Sequence, residues 1–165
     1  MPRLHCRGFS LVLISGLTTA YLLLVVCTAY SSLGPTPQVS EDAFAMNRRL
    51  ARTINFGQSL EAPHEGDWGL ILRAPYFRVA RDAGFTAVRV PIRWSAHAAA
   101  SPPYTVDREF FARIDWVVDR ALANSLAAVI DVHHYDELTS NPASHKERFI
   151  AIWKQIAEHY KCLSR

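Results

Sequence analysis

Cysteine is scarce in this chain and poorly placed for cross-linking. The three are Cys6, Cys27 and Cys162. The first two lie in an apolar leader, so loss of that leader leaves one thiol and excludes an intrachain disulfide in the remainder. An oxidising destination is compatible with the chain but is not indicated by its cysteines. Acidic residues are absent before residue 30, where Arg3 and Arg7 are the only Lys or Arg. A basic stripe is absent as well. The 18 Lys and Arg stand against 15 Asp and Glu, and with Arg3 and Arg7 set aside the rest is close to neutral. Nucleic-acid binding, which needs clustered cations, is therefore not expected. No Gly-x-Gly-x-x-Gly follows any strand-like segment, which removes the support for a dinucleotide or phosphate cradle. Low-complexity tracts and tight internal repeats are absent too.

Apolar residues make up 50% of the chain, enough for a sizeable core. Four Trp, six Tyr and eight Phe leave open whether the rings are core or platforms for sugars. The leader has a definite layout. Residues 1–9 are basic, residues 10–26 are almost wholly apolar, and Cys27-Thr28-Ala29 offers small residues before a cleavage point. Residues 1–29 are thus expected to be a secretory signal peptide. An uncleaved anchor is the alternative, because the apolar run of about 17 to 20 residues approaches a bilayer span. Either way the remainder is expected outside the cytoplasm, secreted or periplasmic, or held at the membrane through residues 10–26. Residues 30–40 read as a linker from their Ser, Gly and Pro.

From residue 41 helix-like and strand-like segments alternate. Residues 41–53 predict a helix and residues 54–60 a strand, with Gly57 marking a close backbone approach. Pro75 and Gly84 predict the start and end of a second helix, with Phe77, Ala80 and Ala83 on one face. Residues 87–92 (Ala-Val-Arg-Val-Pro-Ile) predict a strand covered on both faces. Asp107 is the expected N-cap of a helix whose Phe110, Phe111, Ile114, Val117, Val118, Ala121 and Leu122 recur at helical spacing. Residues 127–132 (Ala-Ala-Val-Ile-Asp-Val) predict a third strand. Ser144 to Glu147 has the spacing of a capping box opening a last helix, with Phe149, Ile152, Trp153, Ile156 and Tyr160 inward. Strands alternating with helices imply an α/β fold with parallel pairing and right-handed crossovers. Strand spacing points to part of a TIM (β/α)8 barrel, about its first three β/α units, since a closed barrel needs eight units and about 250 residues. A doubly wound sheet is the alternative on pattern alone.

In a parallel barrel the chemistry sits where strands end. That selects residues 57–69, 89–97 and 131–138, each more polar and aromatic than the strand before it. Leu60-Glu61-Ala62-Pro63, Glu65-Gly66-Asp67-Trp68-Gly69, Ala83-Gly84-Phe85, Val88 to His97 (Val-Arg-Val-Pro-Ile-Arg-Trp-Ser-Ala-His) and His133-His134-Tyr135-Asp136-Glu137-Leu138 together resemble glycoside hydrolase family 5, the cellulase-type retaining enzymes, over about residues 52–161. The resemblance implies an endo-β-glucanase acting on β-linked polysaccharide, with no cofactor and no metal. It gives Arg89 the role of orienting the nucleophilic carboxylate, His133 a contact to the sugar at the cleavage point, and His134 and Glu61 polar contacts nearby. A fixed cation beside a carboxylate keeps it ionised and aimed, and neutral histidines can donate to sugar hydroxyls.

Two departures accompany the resemblance. The family's acid/base Glu follows an Asn at the end of a fourth strand and its nucleophile Glu ends a seventh; neither motif occurs in these 165 residues. The catalytic pair is therefore expected to be missing from this chain. Gln58 also stands where Asn is usual. The alternatives to a truncated hydrolase are a catalytically inactive carbohydrate-binding remnant, a half-barrel that pairs with another chain, and an unrelated exported binding protein. The oligomeric state is left open.

Several residues allow a plainer reading. Arg89 fits a structural ion pair. His133 and His134 with Asp131 or His97 have metal-ligating types but no zinc-enzyme spacing, and neighbours on a strand diverge unless the strand ends there. Glu61, Asp136 and Glu137 show no spacing that sets two carboxylates the roughly 5 to 5.5 Å apart that a retaining pair needs. Trp68 and Trp94 fit core or sugar platform equally, and His145 and His159 are expected on exposed helix faces.

Overall fold

A computed structural model describes residues 43–163 of the chain. The leader, the linker and the first residues of the predicted N-terminal helix lie outside this range. The element order is α1 (Ala43–Leu50), β1 (Thr53–Asn55), α2 (Ala74–Asp82), β2 (Ala87–Ile92), a 3-10 turn (Trp94–His97), α3 (Arg108–Ala123), β3 (Ala127–Val132), α4 (Asp136–Ser140) and α5 (Pro142–Tyr160). The strands form one parallel sheet in the order β1-β2-β3. This is the architecture expected of successive β/α units. No helix among the described residues is long and apolar enough to cross a membrane.

The sheet sorts its side chains by the period of two that a strand imposes. Val88, Val90 and Ile92 of β2 are fully buried. They join Ile54 of β1 and Ala128, Ile130 and Val132 of β3 in one apolar cluster. Phe77 and Ala80 of α2, Ile114, Val117 and Ala121 of α3, and Ile152 and Ile156 of α5 cover that face. The opposite face carries Asn55, Arg89 and Asp131. Register aligns Asn55 with Arg89, and Pro91 with Asp131. One face is thus sealed by helices, while a polar row runs along the other.

Local chemistry explains where the elements begin and stop. Pro75 lies in the first turn of α2, and Gly84 follows its end at φ 85°, a left-handed conformation that glycine adopts without strain. The strand predicted over residues 54–60 is shorter. After Asn55 the pairing continues only through the Phe56 N–H to the Arg89 carbonyl at 2.8 Å. Gln58 then takes φ 62°, which no strand accommodates. The sequence pattern also misplaced some caps and faces. Asp107 occupies the N-cap position of α3 without a side-chain cap bond. The last helix begins at Pro142 rather than Ser144. Its cap is Asn141, whose Oδ1 accepts from the Ser144 N–H at 3.3 Å. Ala83, Leu122 and Trp153 lie exposed rather than inward, and α4 was not anticipated.

The loop of residues 56–73 is long, and three attachments fix it. Leu60 and Ala62 are buried. The Arg93 N–H donates to the Leu60 carbonyl at 2.9 Å. Arg113 of α3 grips Glu65 with two bonds of 2.7 and 2.8 Å and donates to the Leu72 carbonyl at 2.8 Å. Its guanidinium also lies 4.3 Å from the Trp116 ring centroid. A planar fork meets a carboxylate in this way and an ammonium cannot. Arg113→Ala is therefore expected to destabilise the protein by about 2 kcal/mol, with Arg113→Lys recovering only part. Urea denaturation measures both. Equal stability of wild type and Arg113→Ala would show that the loop is held by its apolar anchors alone.

Candidate active site

At the C-terminal ends of the strands the polar row closes into a cluster. The Arg89 guanidinium donates from Nη1 to Asn55 Oδ1 at 2.8 Å and from Nη2 to Asp131 Oδ2. The same Nη2 lies 3.3 Å from His133 Nδ1. Arg89 of β2 is thereby held by residues from both flanking strands, Asn55 of β1 and Asp131 and His133 of β3 and its end. A partly buried guanidinium fixed by a carboxylate and an amide is oriented before any ligand arrives. Asn55 escaped the sequence reading. Its signal was available: parallel register places it beside Arg89 on the same face.

Glu61 comes to the same place from the loop after β1. It is only 8% exposed. A buried carboxylate requires partners, and it has three. Its Oε1 accepts from the Gln58 N–H, and its Oε2 lies 3.5 Å from His133 Nε2 and 3.4 Å from His134 Nε2. Gly57 makes the approach possible. A Cβ there would stand 2.8 Å from Asn55 Nδ2 and 3.0 Å from Glu61 Oε1, which is the close approach its sequence position implied. Gln58 adopts the left-handed backbone that turns its N–H towards Glu61.

The two adjacent histidines reach one carboxylate because β3 ends at Val132. His134 has φ 49°, so the alternation of a strand no longer separates the pair. Their ring centroids are 4.6 Å apart at 79°. The partner that joins them is Glu61. Neither His97 nor Asp131 fills that place. One ligand atom from each of Glu61, His133 and His134 lies within 4.8 Å of the others, the one such grouping among the described residues.

The two tryptophans separate cleanly. Trp94 is fully buried and donates its indole N–H to the Asp131 carbonyl at 3.1 Å, so it is core. Trp68 is 43% exposed and stands edge-on to His134 with centroids 5.5 Å apart. Of the remaining carboxylates, Asp136 pairs with Arg93 at 2.9 Å. His159 is exposed as its helix position implied and His145 half-buried, and each has a partner. His145 Nδ1 lies 3.2 Å from the Tyr135 hydroxyl. His159 Nε2 lies 2.7 Å from Asp115 Oδ1, with its ring stacked on Phe111. A surface hollow of about 850 Å³ is lined by Phe111, His159 and the end of α5. It holds no part of the strand-end cluster and is not the site.

The model of the cellulase family, glycosyl hydrolase family 5, matches residues 55–164. The chain belongs to glycosyl hydrolase family 5. Endoglucanase H of Acetivibrio thermocellus is 39% identical over 120 residues, covering 73% of this chain and 13% of that protein. Endoglucanase B of Clostridium cellulovorans is 32% identical, covering 65% and 26%. Among solved structures, Thermotoga maritima Cel5A in complex with mannotriose is 52% identical with a TM-score of 0.73, covering 74% of this chain and 40% of that one. The same protein has also been solved with cellobiose. This family 5 chain therefore has the fold of part of a TIM barrel. It spans about two fifths of the length of that structure and less of the two endoglucanases just named.

His97, in the second polar cluster by sequence, lies apart from the Glu61 group. Its ring stacks on Phe110, with centroids 3.6 Å apart at 8°. Burial lowers its pKa from 6.5, helped by nearby His64 and opposed by Asp107 and a bond to the Pro63 backbone. The folded state therefore holds this proton less tightly than the unfolded chain does. The resulting stabilisation is complete above about pH 6.5 and declines as pH falls through that value towards the lowered folded one. His97→Phe keeps the stack and removes the proton. The loss of urea resistance between neutral and mildly acidic pH should be smaller in this variant. An unchanged loss would assign the acid sensitivity to other groups.

Proposed function

We propose that this chain supplies the sugar-contacting and nucleophile-orienting part of an endo-β-glucanase site acting on β-linked polysaccharide, exported under the direction of residues 1–29. The observation that carries the reading is Arg89. It is fixed by Asn55 and Asp131 beside His133 at the C-terminal ends of parallel strands, in a chain of glycosyl hydrolase family 5. In this role its guanidinium holds a catalytic carboxylate ionised and aimed, and that preorganisation lowers the barrier without a proton leaving arginine. His133 and His134 face the sugar hydroxyls. Glu61 orients both imidazoles, and the exposed Trp68 ring offers an apolar surface to a pyranose face. Endoglucanase relatives and the mannotriose and cellobiose complexes of the Thermotoga maritima protein support β-linked glucan, with mannan as a second class.

Retaining hydrolysis needs an acid/base carboxylate and a nucleophile set about 5 to 5.5 Å apart across the sugar. Glu61 is taken up by Gln58 and two histidines, Asp131 by Arg89, and Asp136 by Arg93. No residue of this chain matches the family's Asn-Glu motif or its nucleophile. The 165 residues on their own are therefore read as a binding half-site without turnover. Purified chain should release no chromophore from an aryl cellobioside, and measurable turnover that co-purifies with it would overturn this. Joined to the remaining barrel of the Thermotoga maritima relative, the chain should hydrolyse β-glucan. There Arg89→Ala should lower kcat about a hundredfold with little change in KM, and Arg89→Lys should recover only part. An Arg89→Ala variant that merely melts earlier and keeps its kcat would make this arginine structural.

A further inference from the structure

Beyond sugar contact, the Glu61 group has the chemistry of a metal site. We propose that Glu61, His133 and His134 form a binding site for a divalent transition metal of the Zn²⁺ class, with two imidazole nitrogens and one carboxylate oxygen as ligands. Bonds of about 2.1 Å at tetrahedral angles hold neighbouring ligand atoms about 3.4 Å apart. Glu61 Oε2 lies 3.5 Å from His133 Nε2 and 3.4 Å from His134 Nε2, so two edges of the tetrahedron already have their required length. The group as a whole lies within 4.8 Å. His134, the most exposed of the three at 41%, is the ligand freest to adjust along the third edge. Two nitrogens and one carboxylate suit Zn²⁺ and its neighbours better than Ca²⁺ or Mg²⁺, which prefer all-oxygen shells.

A second observation concerns the far side of His133. A ligating imidazole normally passes its other N–H to a carboxylate, which fixes the tautomer. Asp131 Oδ1 is buried and has no hydrogen-bond partner, and it lies 3.8 Å from His133 Nδ1. Without metal, Nδ1 faces the Arg89 guanidinium at 3.3 Å as an acceptor, leaving the proton on Nε2 directed at Glu61. Metal on Nε2 moves that proton to Nδ1. A small ring rotation away from Arg89 then gives the orphaned Asp131 oxygen its donor. Glu61 needs no rebuilding, because Gln58 holds its other oxygen.

The test is titration of the full chain with ZnCl₂ at neutral pH by calorimetry, and with Co²⁺ followed in the visible spectrum. One equivalent should saturate. The Co²⁺ complex should show d–d bands of a low-coordinate nitrogen and oxygen site, without a thiolate charge-transfer band. His134→Ala, with an unchanged far-ultraviolet circular dichroism spectrum, should weaken binding at least tenfold, and Glu61→Gln should do the same. Absence of saturable binding, a thiolate band implicating Cys6, Cys27 or Cys162, or full affinity in His134→Ala would each overturn the proposal. None of these readouts involves sugar, so the metal site stands or falls apart from the glucanase reading.

Discussion

Everything at the strand ends depends on the placement of one guanidinium. Arg89 projects from the face of β2 that the helices do not cover. Asn55 and Asp131 project from the same face of the flanking strands. A cation on a sheet otherwise built from Val, Ile and Ala costs solvation, and the Asp131 carboxylate and Asn55 amide offset that cost. The same contacts fix where its remaining N–H groups point. His133 comes next in the chain, just beyond β3, and the Glu61 group is assembled around it. If Arg89 were displaced, Asp131 would lose its counter-ion and His133 its neighbour.

The parallel register is the reason this works. Antiparallel neighbours would bring the far ends of the strands together, and polar residues following β1, β2 and β3 would then lie at alternate ends of the sheet. With all three strands running the same way, each strand-to-helix connection adds its polar residues to one rim. The long loop after β1 brings Gly57, Gln58, Glu61 and Trp68. The 3-10 turn after β2 buries Trp94 beneath Asp131. The short segment after β3 brings His133 and His134. Of these, only Trp94 belongs to the core.

Much of this was legible in the residues. Ala87–Ile92 and Ala127–Val132 are strands with the bounds their composition implied, because short β-branched runs bounded by helix signals leave few alternatives. Glu61, Arg89, His133 and His134 were nominated by strand-end position and by family likeness, and they do lie together. What escaped was tertiary. Arg113 and Glu65 are 48 positions apart, and nothing local links them. Ile54 to Leu60 carries strand-like side chains, yet Gln58 turns left-handed to meet a carboxylate three residues on. Asn141 took the capping role from Ser144 because Pro142 moved the helix start two residues earlier. His159 is the surface residue its position implied, but its stack on Phe111 and its bond to Asp115, 44 positions away, have no local signal.

Trp68 and Glu61 belong to the same loop but are anchored differently. Glu61 is buried among its partners, and the Leu60 carbonyl beside it accepts from Arg93. Trp68 follows Gly66 and precedes Gly69, both at positive φ, and its ring stands in solvent against His134. Gln58 and the two histidines hold one half of this loop, and Arg113 holds both sides of the other through Glu65 and the Leu72 carbonyl. Between those two holds Trp68 stands beside His134, outside every strand. Residues on this rim can therefore be replaced while the cationic centre beneath stays fixed.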